Sequence, residues 1–111
     1  MQAKLNYAIK FVADMGAAVK FHRDMLGLPL KFQSPEWSEF ATGDVTLALH
    51  AASPDHPAGT VELGYGVPDL KQVYANRAKL DLTFLTEPKP LHGALLATFA
   101  DSEGARCSIS G

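Results

Sequence analysis

The chain has 111 residues, which by length suits one domain and allows a self-supporting core. Its 47% hydrophobic and 20% charged content is that of a globular protein and not of a disordered one. With a formal net charge of −2 and charges scattered along the chain, no basic stripe exists to attract a phosphate backbone, so nucleic-acid binding is not expected. No run approaches the ~20 apolar residues that cross a bilayer, and the opening Met1–Asn6 lacks the apolar stretch of a signal peptide. One cysteine, Cys107, cannot close an internal disulfide. That fits a reducing compartment, and a cytoplasmic location is expected.

In chain order, the spacing predicts a strand over Lys4–Val12, a helix over Met15–Leu26, and strands over Pro29–Gln33, Glu36–Ala41 and Asp44–His50. The period-two alternation of Trp37–Ala41 and Val45–His50 is that of half-buried strands. Asp14 is placed to cap the helix and Gly27 to end it, while Met15, Ala18, Val19, Met25 and Leu26 form one apolar face. A polar loop over 52–59 follows, and then the order repeats. A strand is expected over Thr60–Val67, a helix over Leu70–Leu80 and strands near Leu82–Glu87, Ala94–Ala100 and Ala105–Ser110. Asp69 and Gln72 have capping-box spacing. Val12-Ala13-Asp14 and Val67-Pro68-Asp69 stand at matching strand-to-helix junctions, as do Phe40 and Phe99 in matching strands. The pattern is a βαβββ unit used twice, with module 1 over about 1–52 and module 2 over about 59–111 of a single domain.

The segment from Phe11 to Leu28 reads FVADMGAAVKFHRDMLGL. It resembles the N-terminal signature of the glyoxalase/bleomycin-resistance/dioxygenase (vicinal oxygen chelate) superfamily, with V-x-D, then F-Y-R-D, then L-G-L, except that His22 stands where tyrosine is usual. Trp37–Leu49, turning at Gly43-Asp44, resembles the family's strand pair. Asp101-Ser102-Glu103-Gly104 stands where the family often has D-P-D-G. The resemblance spans essentially the whole chain. It implies an α+β fold of two βαβββ modules, whose eight strands form an open, cup-shaped sheet with helices on its convex face. It also implies that modules pair in a homodimer and that the ligand lies on the concave face.

The resemblance further implies four metal-ligand positions, which fall at Tyr7, Ala48, Glu62 and Ser108. Only Glu62 is a competent ligand. Alanine has no donor, serine is a poor one, and a phenol must first lose its proton. No metal is therefore expected, the alternative being one divalent ion such as Zn, Ni, Fe or Mn. His50, two residues beyond Ala48 on the same strand face, is read as a rim histidine, with pairing to Glu62 the alternative. His22 is read as a packed or dimer-contact residue, while His56 and His92 are read as loop residues, His56 simply solvated.

Alternation places Tyr7, Ile9 and Phe11 on one face, joined by Trp37, Glu39 and Ala41 if Phe40 packs under the helix; Lys10 then falls on the helix-covered face. Apolar walls with sparse polar groups suit an organic ligand, although aromatics of this kind also serve as core or dimer interface. The expected ligand contacts are Tyr7, Phe11, Trp37, Glu39, Ala48 and Ser108. Glu62 and His50 are the candidate catalytic pair, able to move a proton if burial raises the carboxyl. The leading expectation is a metal-independent protein that binds a small organic molecule, aromatic or cationic, as a homodimer. The rival is a glyoxalase I-type lyase or isomerase dependent on a divalent metal. A metal-free lyase using Glu62 and His50 is a third.

Overall fold

The computed structural model describes residues Met1–Gly111. Two compact units divide the chain: Tyr7–Glu62, and Met1–Asn6 together with Leu63–Gly111.

The first unit holds most of β1 (Lys4–Val12), helix α1 (Met15–Lys20), and strands β2 (Leu30–Phe32), β3 (Trp37–Phe40) and β4 (Thr46–Ala51). Its strand order is β2-β3-β4-β1, antiparallel except that β1 runs parallel to β4. A parallel pair needs a crossover, and α1 with the two short strands supplies it. Asp14 accepts the Ala17 N–H at 3.0 Å, as an N-cap should. After Lys20 the helix widens into a π-type segment, Phe21–Met25, closed by Leu26 N–H on Phe21 O. The cause is local. His22 Nδ1 donates to the Ala18 carbonyl at 2.8 Å, so a side chain takes an acceptor that the regular helical ladder would use. Gly27, at φ 70°, then turns the chain out.

On the helix side, Val19, Phe40 and Leu49 are buried and packed by Val12, Met15, Ala18, Leu28, Leu30 and Leu47. Phe40 thus lies under the helix, and the register expected from it holds. Tyr7, Ile9, Phe11, Trp37 and Ala48 gather on the opposite side with Ala52.

The second unit repeats the plan. It carries most of β5 (Val61–Gly66), helix α2 (Leu70–Ala75), and strands β6 (Thr83–Phe84), β7 (Lys89–Leu91), β8 (Ala94–Ala100) and β9 (Arg106–Ser110). The order is β5-β9-β8-β6, β5 and β9 being parallel as β1 and β4 are. Val67, Leu70, Val73, Ala97 and Ile109 form its core. The chain is a mixed α+β protein built from the βαβββ order used twice.

Three details depart from expectation. A short strand, β7, joins β8 through a two-residue turn, with His92 (φ 50°) and Gly93 (φ 81°) both left-handed as such hairpins require. Helix α2 stops at Ala75 and not at Leu80. Asn76 Nδ2 bonds back to Gln72 O, and Arg77 donates to Tyr74 O while lying 4.0 Å over the Tyr74 ring, so side chains consume the last carbonyls. Of the expected capping box, the structure forms the bond from Gln72 N–H to Asp69 Oδ1.

Candidate functional site

The helix-free side of the first unit carries a row of rings. Parallel pairing sets Phe11 beside His50 and Ile9 beside Ala48, and antiparallel pairing sets Trp37 beside His50 and Glu39 beside Ala48. The side chains meet accordingly. Tyr7 and Trp37 lie edge to face at 5.9 Å, as do Trp37 and His50 at 5.8 Å; Phe11 and His50 are tilted at 5.1 Å, and Phe11 and His56 stack at 4.5 Å. Such pairs contribute about 0.5–1.5 kcal/mol each beyond the area they bury, so the row is a stiff wall.

Two carboxylates stand among the rings, both 9% exposed. Glu39 accepts the Trp37 indole N–H at 2.8 Å, and Lys31 Nζ lies 3.8 Å from its other oxygen. Glu39 also acts on Tyr7, whose phenol is pushed above its ordinary value, chiefly by burial and secondly by the neighbouring carboxylate. Glu62 has His56 Nε2 at 3.4 Å.

His56 is the correction here. The sequence places it as a solvated residue of the 52–59 loop and gives His50 as a rim histidine, with pairing to Glu62 the alternative. In the structure His50 Nδ1 donates to the Ala51 carbonyl at 2.8 Å. His56 is folded in, 27% exposed at its side chain, between Phe11 and Glu62. The signal available in sequence was Ser53-Pro54-Asp55-His56-Pro57, a Pro-bracketed turn opened by serine. Ser53 and His56 exchange backbone bonds of 3.0 and 3.1 Å, and Ser53 Oγ accepts the His56 N–H at 3.2 Å.

The remaining positions fall as follows. His22 is half-buried between Phe21 and Phe40. Ser108 belongs to the second unit, on β9, flanked by Thr98 of β8 and Gly64 of β5. Its neighbours Cys107 and Ile109 are buried, and alternation turns Ser108 to the other face. A cleft of about 540 Å³ lies in the second unit and not at the ring wall, lined by Lys4, Asn6, Gly66, Val67, Pro68 and Ser110 among others.

The residues at the family's ligand positions do not fit a divalent ion. Ala48 is wholly buried and has no donor atom. The Tyr7 phenol resists the deprotonation that ligation needs. No group of three or more His, Cys, Asp or Glu side chains lies close enough to hold a metal. Nor is any helix long and apolar enough to cross a membrane.

The doubled βαβββ α+β fold defines the class. The sequence matches the Glyoxalase/Bleomycin resistance protein/Dioxygenase superfamily over residues 4–109, and the chain belongs to that superfamily. Among solved structures it is similar to a hypothetical protein from Bacillus halodurans C-125 (TM-score 0.82, 16% identity, 99% of this chain and 94% of that one). It is similar also to a glyoxalase/bleomycin resistance protein/dioxygenase superfamily member from Vibrio splendidus 12B01 (TM-score 0.70, 16% identity, 98% of each chain). A third is methylmalonyl-CoA epimerase from Mycobacterium tuberculosis (TM-score 0.75, 16% identity, 96% of this chain and 85% of that one). At these identities the likeness is one of fold. No curated protein matches by sequence.

Proposed function

We propose that this chain is a small-molecule-binding protein that takes a planar organic compound, aromatic or cationic, onto the Tyr7–Trp37–Phe11 wall without help from a divalent ion. The observation that carries the reading is the unbroken row of rings from Tyr7 through Trp37, His50 and Phe11 to His56, spaced 4.5–5.9 Å. Ring surface with few polar groups suits a planar organic ligand, and the carboxylates Glu62 and Glu39 stand within it. Ala48 keeps the floor flat, and Ser108 is assigned the ligand-facing side of the second module. We read the chain as one domain, with modules over about 1–52 and 59–111, acting as a cytoplasmic homodimer.

The test uses Trp37, the one tryptophan. Its fluorescence is titrated with neutral and cationic planar aromatics, with and without EDTA. Saturable quenching that EDTA leaves unchanged is the expected result. Stoichiometric Zn, Ni, Fe or Mn in the purified protein, with binding or turnover lost on its removal, would overturn it.

The second reading is a divalent-metal glyoxalase I-type lyase or isomerase. It is favoured by the carboxylate–imidazole pair Glu62–His56 and by the epimerase among the similar folds. On that reading Glu62→Ala abolishes metal uptake; on ours it only weakens the binding of cationic ligands.

A further inference from the structure

The outer face of Phe11 is where a planar ligand would stack, and the chain has already placed a ring there. Of the ring contacts along the wall, those at Tyr7–Trp37, Trp37–His50 and Phe11–His50 are steep, at 68°, 88° and 46°. His56 alone lies flat, 4.5 Å from Phe11 at an angle of 24°, and Phe11 beneath is only 4% exposed. The same imidazole points Nε2 at Glu62 Oε1, 3.4 Å away. One face of a heterocycle on Phe11, with one ring nitrogen on a carboxylate, is how a bound nitrogen heterocycle would sit.

The segment that delivers His56 is pinned to β1 at its two ends, by Ala52 N–H on Val12 O and Gly59 N–H on Phe11 O, and between them its backbone bonds are its own. Ser53, Pro54, Asp55, Pro57, Ala58 and Gly59 are exposed. Two backbone bonds, and one from His56 N–H to Ser53 Oγ, hold Ser53 to His56 within the turn itself. The chain leaves the turn through Gly59 at φ 90°, a conformation open to glycine and costly for other residues. Displacing the turn between those two pins would leave the β4 pairing intact.

We propose that His56 is an internal stand-in for the ligand. The Phe11–Glu62 corner is a subsite for a planar nitrogen heterocycle that stacks on Phe11 and directs a ring N–H at Glu62, and the 53–57 turn must move off for it to enter. The inference rests on the ligand-wall reading and narrows its ligand class. A ring without an N–H can stack on Phe11 but forfeits the contact with the carboxylate, so the corner discriminates between the two.

Benzimidazole and 1-methylbenzimidazole, which differ in that one N–H, serve as probes in calorimetric titrations of wild type, His56→Gly and the double variant His56→Gly/Glu62→Leu. Removing the stand-in is expected to tighten benzimidazole binding about tenfold or more, with a preference of about tenfold over the methylated probe. Adding Glu62→Leu is expected to erase that preference. His56→Phe, which keeps a ring on Phe11 without a ring nitrogen, should bind benzimidazole no better than wild type. Should His56→Gly lose its fold by circular dichroism, His56→Ala gives the same comparison with a less flexible turn. Equal affinities in wild type and the truncated variant, or a preference that survives Glu62→Leu, would overturn the stand-in and leave the wall itself standing. Failure of both proteins to bind any planar aromatic overturns the wall reading and the stand-in together.

Discussion

Trp37 and Glu39, two residues apart on one strand, are joined by an indole N–H to carboxylate bond of 2.8 Å. Both side chains point to the helix-free side, because alternation sends the intervening Ser38 to the other. Lys31 also approaches the carboxylate, but at 3.8 Å with a side chain 62% exposed, so water screens it. The indole bond is therefore the interaction that fixes the Trp37 ring. Glu39→Ala should lower stability by about 1–3 kcal/mol, because it strands a part-buried donor, whereas Glu39→Gln keeps an acceptor and should cost less. Urea denaturation of the three proteins checks this. A Glu39→Ala variant as stable as wild type would contradict it.

The same carboxylate shapes the alkaline behaviour of Tyr7. Burial, then Glu39, raises the phenol above its ordinary value. A folded pKa above the unfolded one means that the folded state holds the proton more tightly. The contribution is therefore fully present below the unfolded value of about 10 and is lost as pH rises through the folded one. Stability should fall on that alkaline limb, and Tyr7→Phe should flatten it. In an ultraviolet titration of the folded protein, the phenolate of Tyr7 should appear later than an ordinary tyrosine's, and Glu39→Gln should advance it only in part. An unchanged alkaline limb in Tyr7→Phe would refute the assignment.

How much of this was legible in the sequence follows from what each feature depends on. Alternation along β1, β3 and β4 is local, so the shared face of Tyr7, Phe11, Trp37 and Ala48 is legible in the sequence. Asp14, Gly27 and Asp69 likewise act on neighbours a few residues away. The end of α2 was missed because Asn76 and Arg77 compete for carbonyls, an effect that apolar periodicity does not register. The widened turn after Lys20 depends on a single imidazole bond. His56 was missed for a different reason. Its place over Phe11 is set by where a loop folds back, and polar composition alone reads as a solvated loop.

The helix-side core gives a sharper stability test than the wall. Phe40 is fully buried, with Val19 and Leu49 packed against it. Phe40→Ala removes a large side chain from a closed space and should cost about 3–5 kcal/mol, a large part of the stability of a small protein. Trp37→Ala, at a side chain that is only partly buried, should cost less. Thermal unfolding by circular dichroism ranks them, and the reverse order would show that the wall, not the helix side, holds the fold.

Ala48 and Tyr7 decide the response to metal ions. A ligand that binds only the folded state raises the unfolding temperature, by about 2.7 kcal/mol of stability when it is present at about a hundred times its Kd. With no donor at Ala48 and a reluctant phenol at Tyr7, added Zn, Ni or Mn should leave the wild-type transition where it was. Tyr7→His adds an imidazole, which needs no costly deprotonation, as a second competent donor after Glu62 among the family's ligand positions, and is the single change expected to restore a response to Zn. Ala48→Glu alone should not do so, because a carboxylate forced into that closed position destabilises the unit before it can ligate anything. The measurement is a set of melting curves with and without each ion after exhaustive chelation. A rise in the wild-type transition at micromolar Zn would contradict this and show that the ion is held without donors at Tyr7 or Ala48.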